Sequence, residues 1–127
     1  MNISKRIRNE VYMKVTEILK QDKPTISFEV FPPKKDTDFA DVEAAATSIA
    51  ELNPSYMSVT YGAGGSTKGL TIKLAEGIQS KYNVPTIAHL TCVCADKTGI
   101  SQALEDMKAA GIKNILALRG DIPKDYA

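Results

Sequence analysis

The chain alternates strand-like and helix-like segments at a nearly constant interval, and this alternation limits the folds open to it. The strand-like segments are short and rich in β-branched or aromatic residues: 25–31, 56–61, 86–93 and 112–118. Between them, apolar residues recur every three or four positions in 39–52, 70–82 and 100–110. This alternation predicts βαβ units and a parallel sheet. A further helical stripe over 3–20, which ends before Pro24, precedes the first strand.

Polar residues end the four predicted strands at intervals of 29 to 32 residues: Glu29, Thr60, His89 and Asp121. Such an interval holds one strand, one helix and two loops, and eight of these units make a (β/α)8 TIM barrel of about 250 residues. We therefore predict an α/β fold of the TIM barrel family, with the first four βα units preceded by an N-terminal helix. Residues 1–127 would be a single partial domain, the N-terminal half of the barrel. A doubly wound sheet is the alternative.

The two faces of the predicted strands differ in polarity. Ser27 and Glu29 share one face of the first strand, whereas Phe28 and Val30 share the other. A barrel explains this difference, because apolar side chains meet the outer helices while polar ones point into the mouth. A sheet covered by helices on both faces would have more continuous apolar runs.

Composition excludes several classes of protein. A hydrophobic content of 43% suffices for a core, and the net charge of +1 leaves no electrostatic footprint for nucleic acid. No apolar run approaches the roughly 20 residues that span a bilayer, and no secretory signal begins the chain. Cys92 and Cys94 are too few for a disulfide framework. We therefore expect a cytoplasmic protein without nucleic-acid or membrane partners.

Glu29 is the sharpest catalytic candidate. It lies between Phe28 and Phe31, and a carboxyl group in apolar surroundings has a raised pKa that suits a general acid. The alternative is a structural carboxylate paired with Lys34, Lys35 or a charge on a neighbouring strand.

The glycine-rich loop 62–67 joins the second strand to the next helix, with Ser66 or Thr67 as the predicted N-cap. Its amides could approach an anionic ligand, although tight βα turns also use glycine without binding anything. The spacing matches neither the dinucleotide-binding fingerprint nor a Walker A loop.

Two further groups are candidates for binding. Arg119, Gly120 and Asp121 end the fourth strand, and together offer a guanidinium fork, close backbone approach and a carboxylate. A turn with a surface ion pair is the alternative. The lone His89 and the C-x-C pair Cys92 and Cys94 do not make a zinc pattern, so no metal site is predicted.

Taken together, four motifs in order are recognisable: S-F-E-V-F-P-P-K at 27–34, V-T-Y-G-A-G-G-S at 59–66, A-H-L-T-C at 88–92 and L-A-L-R-G-D at 116–121. The chain resembles the N-terminal half of the methylenetetrahydrofolate reductase family. The resemblance implies a (β/α)8 barrel that holds FAD at the carboxyl ends of its strands. It also implies that NADH or NADPH reduces the flavin, which then reduces 5,10-methylenetetrahydrofolate to 5-methyltetrahydrofolate in one-carbon and methionine metabolism.

The resemblance also implies roles for individual residues. Glu29 matches the general acid that helps open the five-membered ring of the folate, and Asp121 matches an aspartate near the flavin and the pterin. The positions that match flavin contacts are Thr60, Tyr61, His89, Leu118, Arg119, Gly120 and Asp121.

Half a barrel would leave two unpaired edge strands and exposed apolar faces, both of which favour self-association. A homo-oligomer is therefore expected. We expect the chain to be a fragment that needs the rest of the barrel. The alternative function is that of a non-catalytic α/β half-barrel module that binds a nucleotide-like ligand or a partner.

Overall fold

A computed structural model describes residues 13–62 and 66–125 of the chain. In chain order, its elements are α1 (Val15–Ile18), β1 (Ser27–Val30), a 3-10 turn (Asp36–Asp38), α2 (Phe39–Ala50), β2 (Tyr56–Val59), α3 (Lys68–Tyr82), β3 (Thr86–Thr91), α4 (Lys97–Ala109) and β4 (Asn114–Leu118). The predicted alternation of strands and helices is confirmed for this part of the chain. None of the helices described is long and apolar enough to cross a membrane.

The four strands form one sheet in the order β1-β2-β3-β4, and every neighbouring pair is parallel. The predicted parallel α/β sheet is therefore confirmed. The strand order follows the chain without reversal, whereas a doubly wound sheet reverses its order at a switch point. The described strands therefore do not form the predicted alternative.

The core lies between one face of this sheet and helices α2, α3 and α4. In β2, Met57 and Val59 are fully buried against the helices, while Tyr56 and Ser58 on the other face are half-buried. The helices contribute apolar side chains to the same cluster, including Ala46, Leu74, Ile78, Ala103 and Met107. The predicted division of the strands into an apolar and a polar face is thus observed most clearly in β2.

The edge strands carry apolar side chains that the described residues leave uncovered. Phe28 of β1 is 38% exposed, and Leu116 of β4 is 43% exposed. Because the core covers only the central strands well, both edges of the sheet present apolar surface to solvent.

The loop after β3 shortens the strand predicted over 86–93. The strand ends at Thr91, and Cys94 has a left-handed backbone with φ of 60°. Cys92 N and Val93 N still donate hydrogen bonds to the carbonyls of Leu118 and Arg119, at 3.0 and 2.8 Å. The chain therefore stays beside β4 while its side chains cease to alternate.

Helix α1 covers only the last turn of the predicted N-terminal helix, since positions 3–12 of that prediction lie outside the described residues. Asn114, the first residue of β4, connects this turn to the sheet. Its Oδ1 accepts a hydrogen bond from Val15 N at 2.8 Å, and its Nδ2 donates to Met13 O at 3.4 Å. The amide side chain of Asn114 thus connects α1 to the start of β4.

Asn114→Ala should lower the free energy of unfolding by about 1–3 kcal/mol, because it leaves the partly buried Val15 N–H without its acceptor. Urea unfolding measures the loss. The control is Lys113→Ala at the exposed neighbouring position, which should change stability by less than about 0.5 kcal/mol. Equal effects of the two substitutions would contradict the assigned role of Asn114.

Candidate functional site

The parallel sheet brings the carboxyl ends of all four strands to one edge. Glu29 lies near the end of β1 and His89 within β3, while Thr60 directly follows β2. Asp121 is exposed in the segment after β4. The four predicted polar residues therefore belong to one edge of the sheet, although they reach it from strands and from loops.

Glu29 and His89 are in direct contact across the sheet. His89 Nε2 lies 3.4 Å from Glu29 Oε2, and Ser58 Oγ donates a hydrogen bond to the same oxygen at 3.1 Å. The His89 side chain is 10% exposed, whereas that of Glu29 is 47% exposed. The imidazole is consequently held in the sheet, and the carboxyl group extends from it into solvent.

This geometry corrects the expected environment of Glu29. Phe28 lies on the opposite face of the strand, and Phe31 is itself 67% exposed, so the aromatic neighbours do not enclose the carboxyl group. Among the described residues its partners are a hydroxyl group and an imidazole. Neither Lys34 nor Lys35 pairs with it in this part of the chain.

Two clefts open at this edge of the sheet, and Tyr61 borders both. The first has a volume of about 590 Å³ and lies between the loop after β1 and the loop after β2, with Phe31, Lys34 and Thr60 in its wall. The second, of about 400 Å³, is lined by Tyr61, Thr91, Leu118, Arg119, Gly120 and Asp121. Six of the seven residues predicted to bind a cofactor therefore line one cleft or the other, and His89 lies beside Glu29.

Tyr61 has an altered acidity. Burial raises the pKa of its phenol above the usual value, an effect that the nearby Lys68 partly opposes. The phenol therefore remains neutral at physiological pH and keeps its proton for hydrogen bonding.

Hydroxyl groups secure the two ends of the glycine-rich loop. Gly62 N donates to Thr67 Oγ1 at 2.7 Å, and Thr67 Oγ1 lies 3.2 Å from Thr71 Oγ1. Thr71 Oγ1 in turn donates to the carbonyl of Thr60 at 2.9 Å. Thr67 occupies the predicted N-cap position, but its hydroxyl group binds the loop rather than a helix amide. Residues 63–65, where the predicted ligand-binding amides lie, are outside the described part.

An ion pair fixes the start of α3 beside Tyr61. Lys68 Nζ and Asp106 Oδ2 of α4 are 2.7 Å apart. Their hydrogen bond raises the pKa of Lys68 and lowers the pKa of Asp106. Both groups are consequently charged at neutral pH, and the pair connects α3 to α4 directly behind the candidate site.

The segment 119–121 has a tightly constrained backbone. Gly120 has a φ of +84°, and a Cβ atom there would lie 2.8 Å from Val93 Cγ1 and 2.9 Å from Thr91 Cβ. Arg119 Nε donates to the carbonyl of Gly120 at 3.1 Å, and the described residues contain no ion pair between Arg119 and Asp121. The glycine therefore permits the close packing of two loops.

Within ranges 13–62 and 66–125, no group of three or more His, Cys, Asp or Glu side chains is placed to share a metal ion. The sequence analysis did not identify Ser58, which contacts Glu29 in the structure. The signal was present: Ser58 follows Glu29 by one interval of the repeat and is its direct neighbour in the β1–β2 register.

The chain is similar to proteins of one known family. A family model described as methylenetetrahydrofolate reductase matches residues 14–127. Methylenetetrahydrofolate reductase (NADH) 1 of Arabidopsis thaliana is 37% identical over 114 residues, which cover 90% of this chain and 19% of the plant protein. Methylenetetrahydrofolate reductase 2 of Schizosaccharomyces pombe is 43% identical over 98 residues, or 76% of this chain and 15% of the yeast protein.

A bacterial relative covers the chain more fully. The 5,10-methylenetetrahydrofolate reductase of Buchnera aphidicola is 34% identical over 127 residues, or 99% of this chain and 43% of the relative. The chain thus spans less than half the length of each of these three relatives.

Gly120→Ala should lower the free energy of unfolding by at least about 1–2 kcal/mol. The left-handed backbone is unfavourable for alanine, and the added Cβ atom would overlap the loop after β3. The matched control is Gly69→Ala in α3, where a Cβ meets nothing within 4 Å and helix propensity predicts a stabilisation of up to about 1 kcal/mol. Denaturant unfolding of both variants provides the measurement. A Gly120→Ala variant as stable as the parent would contradict the assigned packing.

Proposed function

The chain belongs to the methylenetetrahydrofolate reductase family, and we propose that it supplies part of the active site of a flavin-dependent reductase of 5,10-methylenetetrahydrofolate. The product would be 5-methyltetrahydrofolate, and the electrons would come from NADH or NADPH. The observation that carries this proposal is the contact of Glu29 with His89 and Ser58 at the carboxyl edge of the sheet. This contact supports the proposal, because barrel enzymes perform their chemistry at the carboxyl ends of their strands.

We propose that this sheet is half of a (β/α)8 barrel and that residues 1–127 form a partial domain of it. The sequential parallel order and the single helix-covered face support this view, because a barrel needs both. Further strands would pair with β1 and β4 and would cover the apolar side chains that these strands expose. Self-association through the same edges is the alternative way to cover them.

The residues of the second cleft suit a flavin. Leu118 and Tyr61 supply apolar surface, and the Gly120 peptide and the Arg119 guanidinium group in the same wall can hydrogen-bond a polar ring edge. Thr60, His89, Arg119 and Asp121 complete the set that would hold FAD. When bound, FAD would accept a hydride from the reduced nicotinamide and pass it to the folate.

Glu29 would act on the folate itself. Opening of the five-membered ring needs a proton at the nitrogen that departs from the bridging carbon, and a carboxyl group within reach can deliver it. Its 47% exposure leaves the carboxyl group accessible to a substrate from the open face of the sheet.

Asp121 would act through its charge. Its carboxylate lies in the wall of the second cleft, where it would stabilise the cationic iminium that ring opening creates. The same charge would disfavour additional negative charge on the reduced flavin.

Glu29→Gln tests the central assignment. It should slow folate reduction by at least about 100-fold, because the amide cannot deliver the proton, and leave flavin reduction by the nicotinamide intact. Stopped-flow absorbance of the flavin-loaded protein measures the two steps separately. Glu76→Gln on the exposed side of α3 is the matched control. Loss of both steps in Glu29→Gln would indicate a structural carboxylate, and loss of neither would show that Glu29 is not the acid. A parent protein that performs neither step would favour a non-catalytic binding module.

Asp121→Asn should raise the reduction potential of the bound flavin and slow folate reduction by about 10- to 100-fold, since it removes a negative charge near both groups. Potentiometric titration and single-turnover kinetics measure the two effects. Asp41→Asn, the same change on the exposed surface of α2, should alter neither. An unchanged rate of folate reduction in Asp121→Asn would refute the assignment of Asp121.

A further inference from the structure

Side chains from two other strands, β2 and β3, contact one oxygen atom of Glu29. Ser58 of β2 donates its hydroxyl hydrogen to Oε2 at 3.1 Å, and His89 Nε2 of β3 is 3.4 Å from the same atom. Among the described residues, no donor contacts Oε1. The carboxyl group is therefore held by one oxygen only.

We infer that Ser58 is a positioning residue that holds Glu29 by Oε2, so that Oε1 is the oxygen that carries and delivers the proton. This inference rests on the proposed function of Glu29. A serine hydroxyl has one hydrogen, and donating it to Oε2 marks that oxygen as the acceptor of the carboxyl group. A proton on Oε2 would compete with this donor, whereas a proton on Oε1 leaves the hydrogen bond intact.

The strand register gives Ser58 its control over Glu29. The two residues are direct partners in the β1–β2 ladder, so the backbone fixes their separation. Serine has a single side-chain torsion and is half-buried, whereas glutamate has three torsions and is largely exposed. The hydrogen bond from Ser58 therefore restricts the Glu29 side chain before the substrate binds. Without it, Glu29 would lose its rotamer freedom only on binding the substrate.

His89 has a distinct part in this arrangement. Its imidazole is buried beside the strands and can donate to Oε2 only when Nε2 carries a hydrogen. A hydroxyl group always carries a hydrogen, so Ser58 provides the constant part of the restraint.

The test measures folate reduction by the flavin-loaded protein in single turnover. Ser58→Ala should slow this step by about 5- to 20-fold, the range expected for one hydrogen bond to a charged or acidic group. Flavin reduction by the nicotinamide should stay unchanged, and so should the KM for the folate, because Ser58 would touch neither ligand. Ser58→Thr keeps the hydroxyl group and should restore most of the rate. Ser101→Ala, on the exposed face of α4, is the control.

A double-mutant cycle separates positioning from a general structural effect. In a Glu29→Gln background, Ser58→Ala should have no further effect on folate reduction, because its influence passes through the acid. An equal slowing in both backgrounds, or a Ser58→Ala rate within twofold of the parent, would overturn the inference. If Ser58→Ala fails to fold, the isosteric Ser58→Cys, a weaker donor, should slow the same step in the parent background only.

Failure of the proposed function has a different signature. In that case the parent protein itself does not reduce the folate, or Glu29→Gln leaves the rate of folate reduction unchanged. A large effect of Glu29→Gln together with a negligible effect of Ser58 substitutions would leave the function standing and remove only the positioning role.

Discussion

Parallel pairing of the strands in chain order is the constraint on which the rest of the structure depends. Each connection from one strand to the next must return along the sheet, and a right-handed return places every crossover helix on the same side. One face is therefore buried under α2, α3 and α4, and the other keeps polar side chains such as Ser58. The same pairing collects the four strand ends at one edge, where residues distant in sequence come into contact.

Side-chain periodicity predicted the elements of this fold well, because each depends on local spacing. The strand and helix order, the parallel sheet and the two unlike faces of β2 all follow from residues a few positions apart. Strand ends were less predictable. The loop after β3 keeps its backbone beside β4 while Cys94 adopts a left-handed conformation, and no local pattern distinguishes it from a continued strand.

The residues of the candidate site could be predicted from the sequence better than the contacts between them. The repeat interval identified Glu29, Thr60, His89 and Asp121 as strand-end residues, and the family resemblance added the others. The predicted apolar environment of Glu29 was wrong, because neighbours in sequence point to opposite faces of a strand. Its real partners come from β2 and β3, and only the register of the sheet reveals them. The hydrogen bonds that connect Gly62, Thr67 and Thr71 were missed for a different reason. Thr67 was expected to cap the helix, but its hydroxyl group binds the loop instead.

The bond between Asn114 and the turn of α1 also has a consequence for the order in which the chain acquires its structure. Val15 N and Asn114 Oδ1 belong to residues separated by 99 positions, so loop closure makes this one of the entropically costliest contacts to form early. During synthesis the first helix must wait until β4 has left the ribosome before it finds its acceptor. Docking of α1 against the sheet is therefore expected to follow the assembly of the βα units.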